Sequence, residues 1–236
     1  MRISPPEPDA FDAGGVESWV FDLDNTLYPA RCNLFVQIDQ RMGEYISAAL
    51  SVDMVAAKAI QKTYFRQYGT TLCGLMRNHR VDPVAYMDFV HDIDLGVLTP
   101  DAGLAGALGR LDGPKFVFTN GSVAHAARVL DRLGIAGHFA DVFDIAAADY
   151  VPKPNPAPYD RMLARFGIAA PSAVLVEDTL ANLAPAAARG MTTLWVRHGR
   201  ADLALDAEAE MPDHVHHVTD DLSGWLAAVA ARLPAR

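Results

Sequence analysis

Short apolar runs recur along the chain, and a helix-like stretch follows most of them. Six runs carry this pattern, at residues 18–23, 115–118, 141–145, 173–176, 192–196 and, more weakly, 214–218. Strands that alternate with helices require right-handed crossovers between parallel strands. The sequence therefore predicts an α/β fold with a Rossmann-like, doubly wound and mostly parallel sheet.

The first two predicted strands lie far apart in sequence, and the segment between them is helical in pattern. Apolar spacings of three and four predict helices at 34–50, 52–68, 71–80 and 83–90. Turn residues gather on either side of this segment and favour hinges there. We therefore expect an acidic mobile tail at 1–15, a Rossmann-like core at 16–32 and 97–236, and an inserted all-helical cap at 33–96.

Composition limits the classes of partner. The net charge of −9 argues against a nucleic acid, whose binding needs clustered Lys and Arg. No apolar run is long enough to span a membrane, and the first residues lack the basic and apolar regions of a secretory signal. Cys32 and Cys73 form no disulfide framework or zinc pattern, which favours a reducing, cytoplasmic setting. A small molecule is the expected partner.

Two carboxylates, Asp22 and Asp24, follow directly on the first apolar run. They are expected at the carboxyl end of a strand, where open α/β sheets bind ligands. Carboxylates this close repel each other unless a cation or a shared proton relieves the charge. Magnesium prefers such oxygen ligands, so the motif favours a Mg²⁺ site. Taken alone, it is also compatible with an ordinary strand-ending turn.

A second motif follows the strand predicted at 115–118. It gives a hydroxyl at Thr119, then Asn120 and Gly121, then a helix start that Ser122 can cap. A helix amino terminus offers free N–H groups to a phosphate, and a glycine lets the chain approach closely. We expect Asn120 and Gly121 to bind phosphate, although a plain strand-to-helix turn has the same pattern.

Two further motifs add a cation and more carboxylates. Lys153 lies between two prolines, on a stiff loop that can aim its charge at phosphoryl oxygens, although a solvated surface turn is the alternative. Glu177 and Asp178 end another apolar run and can supply a second magnesium ligand or cap a helix. All four motifs lie at strand ends on one edge of the predicted sheet. Their joint occurrence predicts a phosphate-handling site.

The order of these motifs resembles the haloacid dehalogenase-like superfamily. The resemblance implies that Asp22 attacks phosphorus and that Asp24 protonates the leaving group and then activates water. It also implies that Thr119 and Lys153 hold phosphoryl oxygens. Magnesium would be held by Asp22, the backbone carbonyl of Asp24 and Asp178. An aspartate at position 24 favours phosphate chemistry over carbon–halogen cleavage.

Two residues depart from the superfamily pattern. Asn25 stands where glycine is commoner, and Asn182 stands where many members have a second aspartate. The first departure can alter the turn but leaves both carboxylates in place. We expect Asn182, together with Glu177, to have a supporting role.

The helical segment resembles the pyrimidine 5′-nucleotidase branch at residues 64–72, 78–83 and 89–94, as do residues 22–28. This resemblance implies a nucleoside monophosphate such as UMP or CMP as substrate. Tyr68 could stack on a base, and the hydroxyls of Thr70 and Thr71 could read its polar edge. Alternatively, aromatics such as Phe65 fill the core of the cap.

Three other functions stay open on the sequence. A sugar-phosphate phosphatase, for example one acting on phosphoglycolate, and a phosphoglucomutase relative would use the same four motifs. A non-catalytic nucleotide-binding module could use the same fold, although it would not need Asp24.

Overall fold

The computed structural model describes residue 11 and residues 13–197 and 211–233 of the 236-residue chain. Residues 1–10 and 12 of the expected tail therefore lie outside the described residues. Phe11 is buried and packs against Trp19 and Trp225, with ring centroids 5.9 and 5.1 Å away. Ala13–Gly15 form a short 3-10 helix. The described end of this segment thus packs against the core.

A single parallel sheet organises the described residues. Its strands are β1 (Ser18–Phe21), β2 (Lys115–Phe118), β3 (Asp141–Phe143), β4 (Ala173–Glu177), β5 (Thr192–Val196) and β6 (His217–Thr219). The strand order is β3-β2-β1-β4-β5-β6, and every neighbouring pair is parallel. The predicted fold class is confirmed. Because the chain goes from β1 to one neighbour and later returns to the other, the carboxyl end of β1 is a topological switch point.

Nine helices surround or extend this sheet in the described part of the chain. They are α1 (Leu34–Leu50), α2 (Met54–Tyr68), α3 (Thr71–His79), α4 (Pro83–Val90), α5 (Ala102–Arg110), α6 (Val123–Leu133), α7 (Pro156–Phe166), α8 (Leu180–Ala187) and α9 (Leu222–Arg232). The Ser122 side chain caps α6, as its position predicts, by accepting the N–H of His125.

Both faces of the sheet are covered. Along β1, Trp19 and Phe21 point to one face and Val20 to the other, as the period of two requires. The first face packs against α5, α6 and α9, and the second against α7 and α8. The four central strands β1, β2, β4 and β5 are therefore buried on both sides, as their apolar sequences predict, whereas the edge strands β3 and β6 are only partly buried.

Helices α1–α4, here called the helical block, are inserted between β1 and β2. The block has its own buried cluster, consisting of Ile46, Ala57, Leu72, Leu75, Tyr86 and Val90. It also touches the loop after β3, where the Cys73 thiol lies 2.9 Å from the backbone oxygen of Tyr150. No helix in the described ranges is long and apolar enough to cross a membrane.

Candidate active site

Asp22 follows β1 directly and is held on both carboxylate oxygens. Its backbone N–H donates to Val176 at 2.8 Å, which continues the strand pairing. Oδ1 accepts from the Lys153 ammonium at 2.7 Å, and Oδ2 accepts from the Thr26 hydroxyl at 3.1 Å. The side chain is 10% exposed, so it is fixed while a small opening to the outside remains.

The turn after Asp22 explains the departure at position 25. Asn25 has a φ of 62°, in the left-handed region. Glycine adopts this region at no steric cost, and asparagine is among the few other residues that tolerate it. The turn therefore keeps its left-handed backbone with asparagine, and Asp24 keeps its place just before Asn25.

Lys153 lies at the centre of the site and is buried. Its ammonium donates to Asp22 Oδ1 and Glu177 Oε2, each at 2.7 Å, and to the backbone oxygen of Phe118 at 2.8 Å. Burial alone lowers the pKa of a lysine, but the two carboxylates outweigh it and raise the pKa of Lys153 above its ordinary value. The ammonium is therefore charged.

The loop after β2 holds Lys153 from the other side. The amide of Asn120 accepts the Lys153 N–H at 2.9 Å and donates to the Lys153 carbonyl at 3.3 Å. The side chain of Asn120, expected at the phosphate, thus holds the backbone of Lys153 in place. The N–H of Gly121 donates to Thr119 Oγ1 at 2.9 Å. A Cβ on Gly121 would lie 3.2 Å from Thr119 Oγ1, which is tight, and 3.7 Å from Asp24 Oδ2, so Gly121 lets the chain pass close to both side chains.

Asp22, Glu177 and Asp178 form a carboxylate cluster. One oxygen from each lies within 4.8 Å of the others. Burial, with repulsion from neighbouring carboxylates, raises the pKa of Asp22 and of Glu177 to about 7 and that of Asp178 to about 6. Three oxygen donors that gain from added positive charge fit Mg²⁺. Sequence reasoning gave Glu177 only a supporting role, whereas its carboxylate lies inside this cluster.

Asp24 points away from the cluster. Its Oδ1 accepts from the Tyr28 hydroxyl at 2.6 Å and lies 2.9 Å from His125 Nε2. Burial raises the pKa of Asp24, but His125 and the Tyr28 hydrogen bond outweigh it and lower the pKa to about 2. Sequence reasoning missed both partners. A usable signal existed for His125, which is the third residue of the helix that begins after Thr119, Asn120 and Gly121.

The residues expected to recognise a base are used mainly within the helical block. Thr70 caps α3 by accepting the Cys73 N–H at 3.2 Å, and buried Thr71 donates to the carbonyl of Gln61 at 3.3 Å. Tyr68 accepts from Asn78 at 3.2 Å. Phe65 is 62% exposed and does not fill the core of the block.

Asn182, expected to have a supporting role, lies buried in α8 close to the second carboxylate motif. Its backbone oxygen accepts the Tyr159 hydroxyl at 2.6 Å, which ties α8 to α7.

Comparison with known sequences identifies one family. Residues 19–190 match the model described as haloacid dehalogenase-like hydrolase. Phosphate metabolism protein 8 of Saccharomyces cerevisiae is 27% identical over 208 residues, which cover 81% of this chain and 64% of that protein. The chain therefore spans less than two thirds of this relative. A phosphoglycolate phosphatase of Neisseria meningitidis is 27% identical over 219 residues, covering 85% and 89% of the two chains.

A solved structure agrees in fold. The HAD phosphatase from Thermococcus onnurineus superimposes with a TM-score of 0.58 at 15% identity, covering 86% of this chain and 93% of that one. At this identity the likeness concerns the fold alone.

Proposed function

Because the chain belongs to the haloacid dehalogenase-like hydrolase family, we propose that it is a magnesium-dependent phosphomonoester hydrolase that works through an aspartyl-phosphate. One observation carries the proposal. The ends of β1 and β4 and the loop after β3 bring Asp22, Lys153 and Asp178 around one small space. A nucleophile, a fixed cation and a carboxylate cluster are the parts that phosphoryl transfer needs.

The first step transfers the phosphoryl group to Asp22. An oxygen of its carboxylate forms a bond to phosphorus while the bond from phosphorus to the ester oxygen breaks. The departing oxygen takes a proton from Asp24, so an alcohol leaves. The pKa of about 2 means that Asp24 is ionised without substrate. A phosphate bound beside it adds negative charge, which raises this pKa and favours the protonated acid.

The second step hydrolyses the intermediate. Water attacks phosphorus, its proton passes to Asp24, and the bond between phosphorus and Asp22 breaks. Inorganic phosphate leaves, Asp22 is again a free carboxylate, and Asp24 carries the proton that it had at the start of the first step, which it loses to solvent once the site is empty. Because one displacement is split into two, Asp24 can serve as the acid in the first step and as the base in the second.

Lys153 and Thr119 position the group in transfer. The Lys153 ammonium already contacts Asp22, so it can also neutralise a phosphoryl oxygen on that carboxylate. Thr119 is buried, and its hydroxyl accepts the Gly121 N–H, which leaves the hydroxyl proton for a phosphate oxygen.

Magnesium would be held by Asp22, Asp178 and the backbone carbonyl of Asp24, with Glu177 beside them. When bound, it neutralises charge on the nucleophile and the phosphoryl oxygens. Glu177 also holds the Lys153 ammonium, so it can keep the cation in place.

Pyrimidine nucleoside 5′-monophosphates are the substrates that the sequence of the helical block supports. A second candidate is a small sugar or acid phosphate, because the Neisseria relative is named a phosphoglycolate phosphatase. The two candidates differ in the leaving group and share the chemistry at Asp22.

A substrate panel with and without Mg²⁺ tests both the phosphatase chemistry and the choice of substrate. UMP, CMP, AMP, GMP, 2-phosphoglycolate and glucose 6-phosphate are compared by phosphate release. Preference for UMP and CMP supports the nucleotidase, and equal turnover of purine and pyrimidine nucleotides rejects it. Phosphate release without any added bisphosphate argues against a mutase.

The variant Asp22→Asn tests the chemistry itself. It should fold as the parent does and lose all turnover, because an amide cannot form the aspartyl-phosphate. Unchanged hydrolysis of p-nitrophenyl phosphate by this variant would reject Asp22 as the nucleophile. Asp131→Asn, on an exposed part of α6, is the matched control.

A further inference from the structure

His125 lies between Asp24 and the helical block, and its ring is buried. Its Nε2 is 2.9 Å from Asp24 Oδ1, and an ionised carboxylate can only accept, so Nε2 carries the proton. Its Nδ1 is buried and has no hydrogen-bond partner among the described residues. Within the described ranges, the contact with Asp24 is therefore the one hydrogen bond that the ring makes.

His91 holds the other side of this ring. The two imidazoles stack face to face, with centroids 4.2 Å apart and planes 8° from parallel. His91 Nδ1 is 3.1 Å from the hydroxyl of Ser122, the residue that caps α6, and the His91 carbonyl accepts from Arg128 at 2.9 Å. His91 directly follows α4, so the end of the helical block is anchored on the helix that carries His125.

The two carboxylate oxygens of Asp24 differ in their contacts. Tyr28 and His125 both engage Oδ1. Oδ2 lies beside Gly121, where an added Cβ would come within 3.7 Å of it. An aspartate held in this way cannot rotate to exchange its oxygens without breaking two hydrogen bonds.

We propose that His125 is a positioning residue that fixes Asp24 with Oδ2 facing the leaving-group oxygen, and that His91 makes this placement depend on the docked helical block. The inference rests on the proposed function, since it assigns the proton of the first step to Oδ2. That proton passes from Oδ2 to the ester oxygen as the bond to phosphorus breaks. A general acid that is free to rotate delivers the proton less often.

Leaving-group dependence distinguishes positioning from a purely structural role. The kcat/KM value covers the steps up to alcohol release, so later hydrolysis of the intermediate does not enter. The p-nitrophenolate leaves without help from an acid, whereas an alkoxide needs the proton. We expect His125→Leu to lose about 100-fold in kcat/KM with an alkyl phosphate and no more than about threefold with p-nitrophenyl phosphate.

A conservative replacement of His125 should restore the lost activity. In His125→Gln, the amide N–H lies near the position of Nε2, so most of the lost kcat/KM with alkyl esters should return. Tyr28→Phe removes the other donor to Oδ1 without touching His125, and it should show the same selective loss. This second variant keeps the test decisive if His125→Leu does not fold. His138→Asn, in the short 3-10 helix Ala136–His138, is the control and should behave as wild type.

The outcomes separate the two proposals. An equal loss with both esters in His125→Leu, or no rescue by His125→Gln, overturns the positioning role while leaving the phosphatase intact. His91→Leu should show a weaker loss of the same selectivity, and wild-type selectivity in that variant removes the link to the helical block. If the wild-type protein with Mg²⁺ hydrolyses neither ester, the proposed function itself fails.

Discussion

The Lys153 ammonium lies 2.7 Å from Asp22 Oδ1, and both side chains are buried. The same ammonium contacts Glu177 at the same distance. One cation therefore holds two carboxylates whose pKa values burial has raised to about 7. This relationship makes Lys153 necessary for the stability of the site as well as for its chemistry, because two buried acids depend on one charge.

Removing that charge should be costly, and more so at high pH. Lys153→Met should abolish turnover and destabilise the metal-free protein by about 3–5 kcal/mol at pH 8. Burial raises the pKa of an acid above its value in the unfolded chain. The protonated acid then favours the folded state at pH values below the unfolded pKa, and this contribution to the free energy of unfolding is lost as the pH rises through the folded pKa. At pH 5.5, Asp22 and Glu177 can both be protonated, so the destabilisation should shrink.

Urea unfolding at the two pH values measures this difference. Lys58→Met is the matched control, because Lys58 pairs with Asp39 at 2.6 Å in a solvated position. It should cost less than about 1 kcal/mol at either pH. A Lys153→Met variant that is equally destabilised at pH 5.5 and pH 8 would contradict this account of the buried acids.

The strands and helix starts that position the site can be predicted from the sequence, because they follow from local chemistry. Apolar strand ends place Asp22 and Glu177 at one edge of a parallel sheet, whatever the side-chain details. Ser122 as helix cap is an equally local signal, and it too is found. In contrast, His125 reaches Asp24 across 101 residues of sequence, and His91 reaches His125 from a separate helical insertion. Such contacts depend on how helices and strands pack against one another, and the spacing of residues in the sequence does not predict that packing.

The same distinction applies to two residues whose contacts the sequence alone does not give. The sequence predicts a base contact for Thr70, but a threonine just before a helix is also a natural cap, and Thr70 caps α3. Asn120 is expected at the phosphate because it lies just before a helix amino terminus. Only the folded loop brings its amide against the backbone of Lys153.

Magnesium binding should strengthen as pH rises. Asp178 and Asp22 have pKa values raised to about 6 and about 7, so below pH 6 each holds a proton that the metal must displace. The rise in melting temperature on adding Mg²⁺ should therefore be larger at pH 8 than at pH 5.5. A thermal-shift titration at both pH values gives the apparent affinities.

Asp178→Asn should remove most of this Mg²⁺-dependent rise, because an amide brings no charge to the cluster. Asp131→Asn, away from the cluster on α6, should keep the full rise. A magnesium affinity that does not change between pH 5.5 and pH 8 would argue that these carboxylates are not the ligands.

Close packing within the helical block gives the last prediction. Gly74 in α3 faces the ring of Tyr64 in α2, and a Cβ built on Gly74 would overlap that ring. Gly74→Ala should therefore destabilise the protein by about 1–3 kcal/mol even though alanine is the better helix former. Gly106→Ala, in α5 with open space around it, should instead stabilise by about 0.5–1 kcal/mol.

Chemical denaturation of the two single variants measures both effects. The double variant Gly74→Ala with Tyr64→Ala separates overlap from other causes, because removing the ring removes the clash. In that background the alanine at position 74 should no longer be destabilising. A Gly74→Ala cost that persists without the Tyr64 ring would mean that backbone geometry, and not contact between α2 and α3, requires the glycine.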